Sequence, residues 1–454
     1  MKFKSIFLQT GILRNAALLT LLSFIVSCGQ KNNESINITA NDLHLAMQKL
    51  TDIMVHDIFS PPQASRAYLY PVMAAYEIGQ QSDARYQSLH GQANDFPILQ
   101  PIPDDSDTDA QLAAMIAFLE VSRKLVFSED MLTKYRDSLY QEWSHQNRKV
   151  FQASKAYAES ALQPINEWID SDYYLQTRTL PKYSVDLNEP WRWQPTPPGY
   201  MDGIDPHWML IRTVALDSAA QFRPEPHPQF SLEKDSRFYE ELIEVYEANL
   251  RARSLGDESF EVQIAQFWDC NPYVSVHRGH MLFAIKKITP GGHWVGIGKL
   301  AAEKAQLDFQ QTLEVYFYTT AAIFDGFISC WEEKYSSNLS RPETLINQFI
   351  DESWEPLLQT PPFPEYTSGH SVVSGAAAEV LTYVLGENFE FDDTVEVPYG
   401  LPVRSYTSFN HAAEEAAISR LYGGIHYRSA IDNGSKQGRN IGQHVIQTIR
   451  LKKD

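Results

Sequence analysis

Ser368-Gly369-His370-Ser371-Val372-Val373-Ser374-Gly375-Ala376-Ala377-Ala378-Glu379-Val380-Leu381-Thr382-Tyr383-Val384-Leu385 is a Ser-Gly step that opens onto an alanine-rich apolar run. Between His370 and Leu385 only Glu379 is acidic and no Lys or Arg occurs. Alanine and leucine favour helix, so the run reads as a buried α-helix. Ser368 stands where an N-cap belongs. A helix start of this kind presents free backbone N–H groups and the positive end of the peptide dipole, which suits an oxyanion.

Helical periodicity also dominates outward from this run. Leu43, Met47, Leu50, Met54 and Ile58 recur at spacings of three and four behind Asn41 as a cap. Ser60-Pro61-Pro62 stops that helix and starts another through Tyr76. Further helices are expected over 108–127, 129–147, 149–170, 234–252, 257–268, 299–333, 341–350, 370–385, 411–422 and 434–450. A Pro-rich loop lies between 178 and 230, and strand signals are confined to short pieces near 394–399. The pattern predicts an all-α protein, a single domain built of two helical bundles over 41–454. The informative polar residues fall at about 308–450.

The 454 residues are 43% hydrophobic and 21% charged, enough to bury a large core and too apolar for wholesale disorder. A formal charge of −19 argues against nucleic acid and against an anionic membrane surface as partners. Residues 1–27 carry Lys2, Lys4 and Arg14, no acid, and an apolar run from Ala16 to Val26, the pattern of a secretion signal. Ile25-Val26-Ser27-Cys28 resembles a bacterial lipobox, which makes Cys28 the lipidated first residue of the mature chain, followed by a tether over 28–40. Loss of 1–27 moves the formal charge to −22, since it removes three bases and no acids. The expected product is an exported, membrane-anchored lipoprotein at the periplasm or cell surface, touching the membrane only through N-terminal lipid. Three cysteines make no disulfide framework. Cys270 and Cys330 read as small buried residues, with a disulfide open to them in that compartment.

Three later segments share one chemistry. The first runs Trp331-Glu332-Glu333-Lys334, then Arg341-Pro342 after six residues. The second is Pro361-Pro362-Phe363-Pro364-Glu365-Tyr366-Thr367-Ser368-Gly369-His370, and the third is Ser419-Arg420 with His426 after five residues. Together they supply Lys334, Arg341 and Arg420 as cations with two histidines. Arginine matches tetrahedral oxygens bidentately and lysine acts as a point charge. Each piece also has a plain structural reading: Ser340 to Glu343 fits a capping box, Ser368 an N-cap, His426 a core histidine. Other spacings lead nowhere. Gly292 to Lys299 lacks the residues of a phosphate loop, and His277-x-x-His280 has no further ligands beside it.

Lys-x6-Arg-Pro, Ser-Gly-His and Ser-Arg-x5-His resemble the three-part signature shared by type 2 phosphatidic acid phosphatases and vanadium-dependent haloperoxidases. The likeness is closer to the haloperoxidases through Trp331, through the Pro-Pro-Phe-Pro-x-Tyr run, and through Glu414 to Arg428. Upstream, Trp193 to Trp208 and Ala265 to Asp269 resemble secreted bacterial members of the group. Two positions depart from the pattern. Thr367 replaces the usual proline before Ser-Gly-His, so a fixed backbone angle is lost. Ala430 replaces an aspartate four residues after the last histidine, which leaves open what orients His426.

The resemblance implies a vanadium chloroperoxidase-like fold and vanadate as cofactor. In this likeness His426 bonds the metal, while Lys334, Arg341, Ser368, Gly369 and Arg420 hold the oxygens. His370 acts as acid and base, and Lys334 polarises hydrogen peroxide for attack by halide. Trp331 and Phe363 form the apolar side where halide enters. Glu332, Tyr273 and Tyr366 are expected near that pocket, bringing polar or acidic groups that disfavour chloride, so iodide is oxidised first and bromide more weakly. The same residues imply an alternative: a vanadate-free acid phosphatase acting on soluble monoesters through a phosphohistidine at His426.

Overall fold

The computed structural model describes residues 35–453 apart from 279, 280 and 285. The expected signal segment, Cys28 and His280 lie outside the described residues, as does the side chain of His277. The tether ends sooner than expected: Ile36 and Ile38 are buried in the main core, so the packed body begins before residue 40.

The first part of the chain is α1 (Ala40–His56), α2 (Pro61–Gly79), α3 (Ala110–Leu125), α4 (Glu129–Gln146), α5 (Arg148–Asp170) and a single turn, α6 (Tyr174–Thr177). After the Pro-rich stretch come α7 (Arg237–Leu255), α8 (Phe260–Phe267), α9 (Pro290–Lys304), α10 (Phe309–Ser337), α11 (Pro342–Phe349), α12 (Gly369–Leu385), α13 (Phe409–Tyr422) and α14 (Arg428–Thr448). Two small antiparallel hairpins interrupt them. β1 (Ser275–Arg278) pairs with β2 (Met281–Ala284), and β3 (Phe391–Asp393) with β4 (Arg404–Tyr406), Phe391 lying opposite Tyr406. No helix among the described residues is long and apolar enough to cross a membrane.

Four local expectations are corrected. The helix expected over 299–333 is two helices, because Gln306 has φ +52° and Asp308 starts afresh. Asp308 accepts from Gln311 N at 2.8 Å and donates its own N–H to the Gln311 side chain at 3.0 Å, a reciprocal cap. The strand signal at 394–399 belongs to β3 just before it, while Val397–Tyr399 form a 3₁₀ turn. Thr39 rather than Asn41 caps α1, its N–H donating to Asp42 at 2.8 Å. Arg341 is itself the N-cap of α11, without a side-chain cap, so Ser340 and Glu343 make no capping box.

One apolar cluster joins α1–α5 to α9, α10 and α12, and a second joins α7, α11, α13 and α14. α10 lies between α2 and α12. α12 in turn rests on α14, whose Gly434, Gly438 and Gly442 face it. A Cβ on Gly438 would stand 2.0 Å from the Val372 carbonyl, and one on Gly442 2.8 Å from that of Ala376. Only glycine permits so close a backbone approach. This contact fixes where the N-terminus of α12, with Ser368, Gly369 and His370, emerges.

Candidate functional site

The three motif segments converge on one narrow cavity. Its wall includes Gly369 and His370 from the start of α12, Arg420 from the last turn of α13, and His426 from the turn before α14. Phe327 and Trp331 of α10 and Phe363 of the Pro-rich loop supply an aromatic side, with the Trp331 and Phe363 rings 5.0 Å apart. Pro61, Cys270, Asn271, Pro272 and Pro290 complete it.

Local structure explains each placement. Ser368 Oγ accepts from Ser371 N at 3.3 Å, which caps α12 and leaves the hydroxyl proton to donate elsewhere. Asn338 ends α10 in the left-handed region at φ +53°, turning the chain toward Arg341. The upstream Trp segment holds that turn: Ser340 N donates to Trp191 O at 2.8 Å, and Trp193 N donates to Asn338 O at 2.9 Å. Thr367, just before Ser368-Gly369-His370, is fastened through its side chain, Oγ1 donating to Gln437 Oε1 at 2.8 Å.

The guanidinium of Arg341 is fully buried. Nε donates to Phe363 O at 2.9 Å, and Nη1 donates to Ile425 O at 2.9 Å and to His426 Nε2 at 3.1 Å. Arg420 Nη1 donates to the Trp268 carbonyl at 2.9 Å. Arg341 Nη2, Arg420 Nε and His370 Nε2 are buried polar atoms without a partner. Unsatisfied buried donors are costly; here Arg420 Nε belongs to a residue lining the cavity, and Arg341 Nη2 to one bonded to His426 of its wall, beside a helix N-terminus. An oxyanion satisfies the two guanidinium donors, while neutral His370 leaves Nε2 able to accept a proton.

Glu365, a lone carboxylate within the Pro-Pro-Phe-Pro-x-Tyr run, orients His426. Its Oε1 accepts from His426 Nδ1 at 2.7 Å and from Tyr427 N at 3.0 Å. With Nδ1 donating to Glu365 and Nε2 accepting from Arg341, the network assigns His426 the tautomer that leaves an Nε2 lone pair. Burial, then the nearby Arg341, Lys334 and Arg420, hold its pKa well below the ordinary value, so the ring is neutral. This is the form a metal ligand requires. The sequence signal for Glu365 was a lone carboxylate in a proline-aromatic run. His370 is likewise kept neutral by burial and by Arg420, and it hydrogen-bonds the Trp268 backbone.

Lys334 is buried and lies over the Phe363 ring at 5.2 Å, but its ammonium faces the loop rather than the cavity. Nζ donates to the carbonyls of Pro364 at 3.0 Å, Glu365 at 2.9 Å and Thr367 at 2.5 Å. All three protons are engaged in holding the Glu365 loop. Burial lowers its pKa to about 8.

Three pocket residues inferred from nearness to the motifs are elsewhere. Glu332 is one residue along α10 from Trp331, a rotation of roughly 100°, and its carboxylate pairs with Arg223. Tyr366 sends its hydroxyl to the Glu225 carbonyl and accepts from Asn433 at 2.9 Å. Tyr273 borders a separate pocket with Arg178 and Asp205, and its hydroxyl bonds Ser60. Gly292–Lys299 lies within helix α9, not in a phosphate-binding loop. Cys270 and Cys330 are free, buried thiols rather than a disulfide.

The family described as VCPO second helical-bundle domain matches residues 347–452. A solved structure described as the first bacterial vanadium-dependent iodoperoxidase is 55% identical, with a TM-score of 0.90, over 93% of this chain and 99% of that one. A holo-type bacterial vanadium-dependent chloroperoxidase superposes with a TM-score of 0.61 at 18% identity, over 86% of this chain and 93% of that one. An apo-type bacterial chloroperoxidase gives 0.58 at 14%, over 93% and 97%. At those identities the two chloroperoxidases speak to the fold alone. No curated protein matches the chain.

Proposed function

This chain belongs to the vanadium-dependent haloperoxidases, and from that premise we propose that iodide is the halide it oxidises by preference, with bromide slower and chloride little used. The single observation that carries this reading is the cavity itself: a neutral imidazole lone pair and unpaired guanidinium donors on one side, and Trp331, Phe363 and Phe327 on the other. An aromatic wall suits a large, polarisable, weakly hydrated anion better than a small, strongly hydrated one. Support also comes from the 55% identity to an iodoperoxidase. Glu332, Tyr366 and Tyr273 are not among the cavity's lining residues and carry no part of the reading.

Vanadate, when bound, supplies a Lewis-acid centre that activates hydrogen peroxide toward halide without changing oxidation state. The donor set fits it: His426 Nε2 would bond the metal, and Arg341, Arg420, Gly369 N–H and the Ser368 hydroxyl would hold its oxygens. Glu365 keeps Nδ1 protonated and Nε2 unprotonated, with a lone pair that meanwhile accepts from Arg341 Nη1. His370, neutral and unpaired at Nε2, would accept and give back a proton at that atom. Lys334 holds the backbone of the Glu365 loop and adds positive charge behind Phe363, which strengthens anion binding in a site that excludes water. Trp331 and Phe363 keep the halide route dry.

Protein loaded with vanadate, assayed with the three halides at matched peroxide and pH, tests the preference. Iodide turnover well above bromide, with chloride near background, is the expected result; chloride turnover comparable to iodide overturns it. We further propose that Cys28 carries the lipid anchor, so that Cys28→Ser moves the protein from membrane to soluble fractions. Membrane association that survives the change refutes that assignment.

A further inference from the structure

A second cluster of ligating side chains lies beside the oxyanion cradle, sharing with the cavity only Cys270 of its wall. Cys270 follows α8, His293 sits in the first turn of α9, and Glu396 precedes the 3₁₀ turn after β3. All three are buried, and their ligating atoms lie within 4.8 Å of one another. Cys270 Sγ is 3.4 Å from His293 Nδ1 and 3.6 Å from Glu396 Oε1, and His293 Nδ1 is 3.1 Å from Glu396 Oε1.

These separations have a simple geometric meaning. Around a tetrahedral zinc ion with a sulfur ligand at about 2.3 Å and nitrogen or oxygen ligands at about 2.0–2.1 Å, ligand atoms sit roughly 3.3–3.6 Å apart. The three measured edges match one face of such a tetrahedron to within a few tenths of an ångström. The outer nitrogen of the histidine is also arranged as a metal site needs it. His293 Nε2 stands 2.7 Å from Asp393 Oδ2, so that carboxylate holds the outer nitrogen and leaves Nδ1 facing Cys270 and Glu396, the side a metal would take in place of any proton there. A carboxylate behind a ligating imidazole is a recurrent companion of bound zinc. Charge agrees too, since two buried carboxylates and a thiol surround a single imidazole, a donor set that a divalent cation neutralises.

We propose that Cys270, His293 and Glu396 form a zinc-type divalent metal site, distinct from the vanadate cradle, with Asp393 orienting His293 and water as a fourth ligand. The ion clips together three segments that are far apart in sequence. One of them carries Trp268, whose carbonyl holds Arg420 and whose ring stacks on His293 with centroids 4.5 Å apart. The site therefore acts as a structural brace for the cavity wall, and it stands whatever the halide preference.

The test is metal content and spectrum of the full-length protein. Grown with added zinc and dialysed, the wild type should keep about one zinc per chain, Cys270→Ala should lose it, and Glu396→Gln should hold it more weakly. Grown with cobalt, the wild type should show a near-ultraviolet thiolate-to-cobalt charge-transfer band that Cys270→Ala abolishes and Cys330→Ala retains. This measurement on the wild type needs no variant to fold. His426→Ala separates the two sites: it should lose vanadium and keep zinc. Absence of both retained zinc and the cobalt band overturns the proposal, as does a band that survives Cys270→Ala or zinc that leaves with vanadium in His426→Ala.

Discussion

Replacing Glu365 by alanine removes the acceptor that fixes the tautomer of His426 while leaving its loop in place. The loop is held independently, by three Lys334 hydrogen bonds to the carbonyls of Pro364, Glu365 and Thr367. Two donors lose their partner: His426 Nδ1–H, 2.7 Å from Oε1, and Tyr427 N–H, at 3.0 Å. Leaving a buried donor unpaired costs about 1–3 kcal/mol, and the ring becomes free to place its proton on Nε2, where the metal bond must form. Loss of the group that orients a ligating histidine lowers metal affinity by about 10- to 100-fold, equivalent to about 1.4–2.8 kcal/mol. Glu365→Gln separates hydrogen bonding from charge. Its amide oxygen accepts the same two bonds, and its NH₂ takes the place of Oε2, which has no partner. Burial raises the Glu365 pKa to about 8, so near neutrality the wild-type side chain is largely uncharged and glutamine is a close stand-in. Vanadate titration by calorimetry at neutral pH should therefore place glutamine within about tenfold of wild type and alanine further down. Alanine binding vanadate like wild type would refute the orienting role. Glutamine falling as far as alanine would show that ionised charge, not the hydrogen bond, is what matters.

Further expectations follow from the same geometry. Gly438→Ala forces a methyl to 2.0 Å from the Val372 carbonyl; overpacking costs about 1–3 kcal/mol and more against backbone, so denaturant unfolding should show at least that loss, and a variant as stable as wild type would mean α12 and α14 are spaced otherwise. Asp325 accepts three backbone N–H bonds, from Val214, Ala215 and Leu216, at 2.8–3.0 Å. Asp325→Asn turns an NH₂ toward at least one of these donors, and at about 1–3 kcal/mol per lost buried bond the melting temperature should drop by several degrees; an unchanged value contradicts the anchoring. Oxyanion affinity of vanadate-free protein should fall as pH rises through about 8. There Lys334, lowered to about 8, loses its positive charge while Glu365, raised to about 8, gains a negative one, so both changes act in one direction. Sulfate, which does not titrate in this range, is the suitable probe, and affinity that stays flat from about pH 7 to 9 would show that neither group reaches the site.

What was legible in the sequence follows physical lines. The helices were visible because apolar residues recur at helical spacing, and the cradle was visible because its residues lie in three short contiguous motifs. Boundaries decided by a single backbone torsion were not, as at Gln306, where one left-handed residue splits α9 from α10. Nearness in sequence misled for Glu332, Tyr366 and Tyr273, because a helix or an extended loop turns adjacent side chains to different faces. The role of Glu365 was hidden for a related reason. A carboxylate becomes an orienting group only through the fold, here by meeting a histidine 61 positions later at 2.7 Å. Likewise the charge of Lys334 was readable, but its three carbonyl partners were not.

The most direct test of the cradle is equilibrium dialysis of vanadate against wild type and His426→Ala, each with and without phosphate. The account predicts one tight vanadate per wild-type chain, displaced by phosphate because both ions occupy the same donors. It also predicts loss of tight binding in His426→Ala, where the ionic cradle survives without its metal–nitrogen bond. Unchanged vanadate affinity in His426→Ala, or binding that phosphate does not touch, would contradict it.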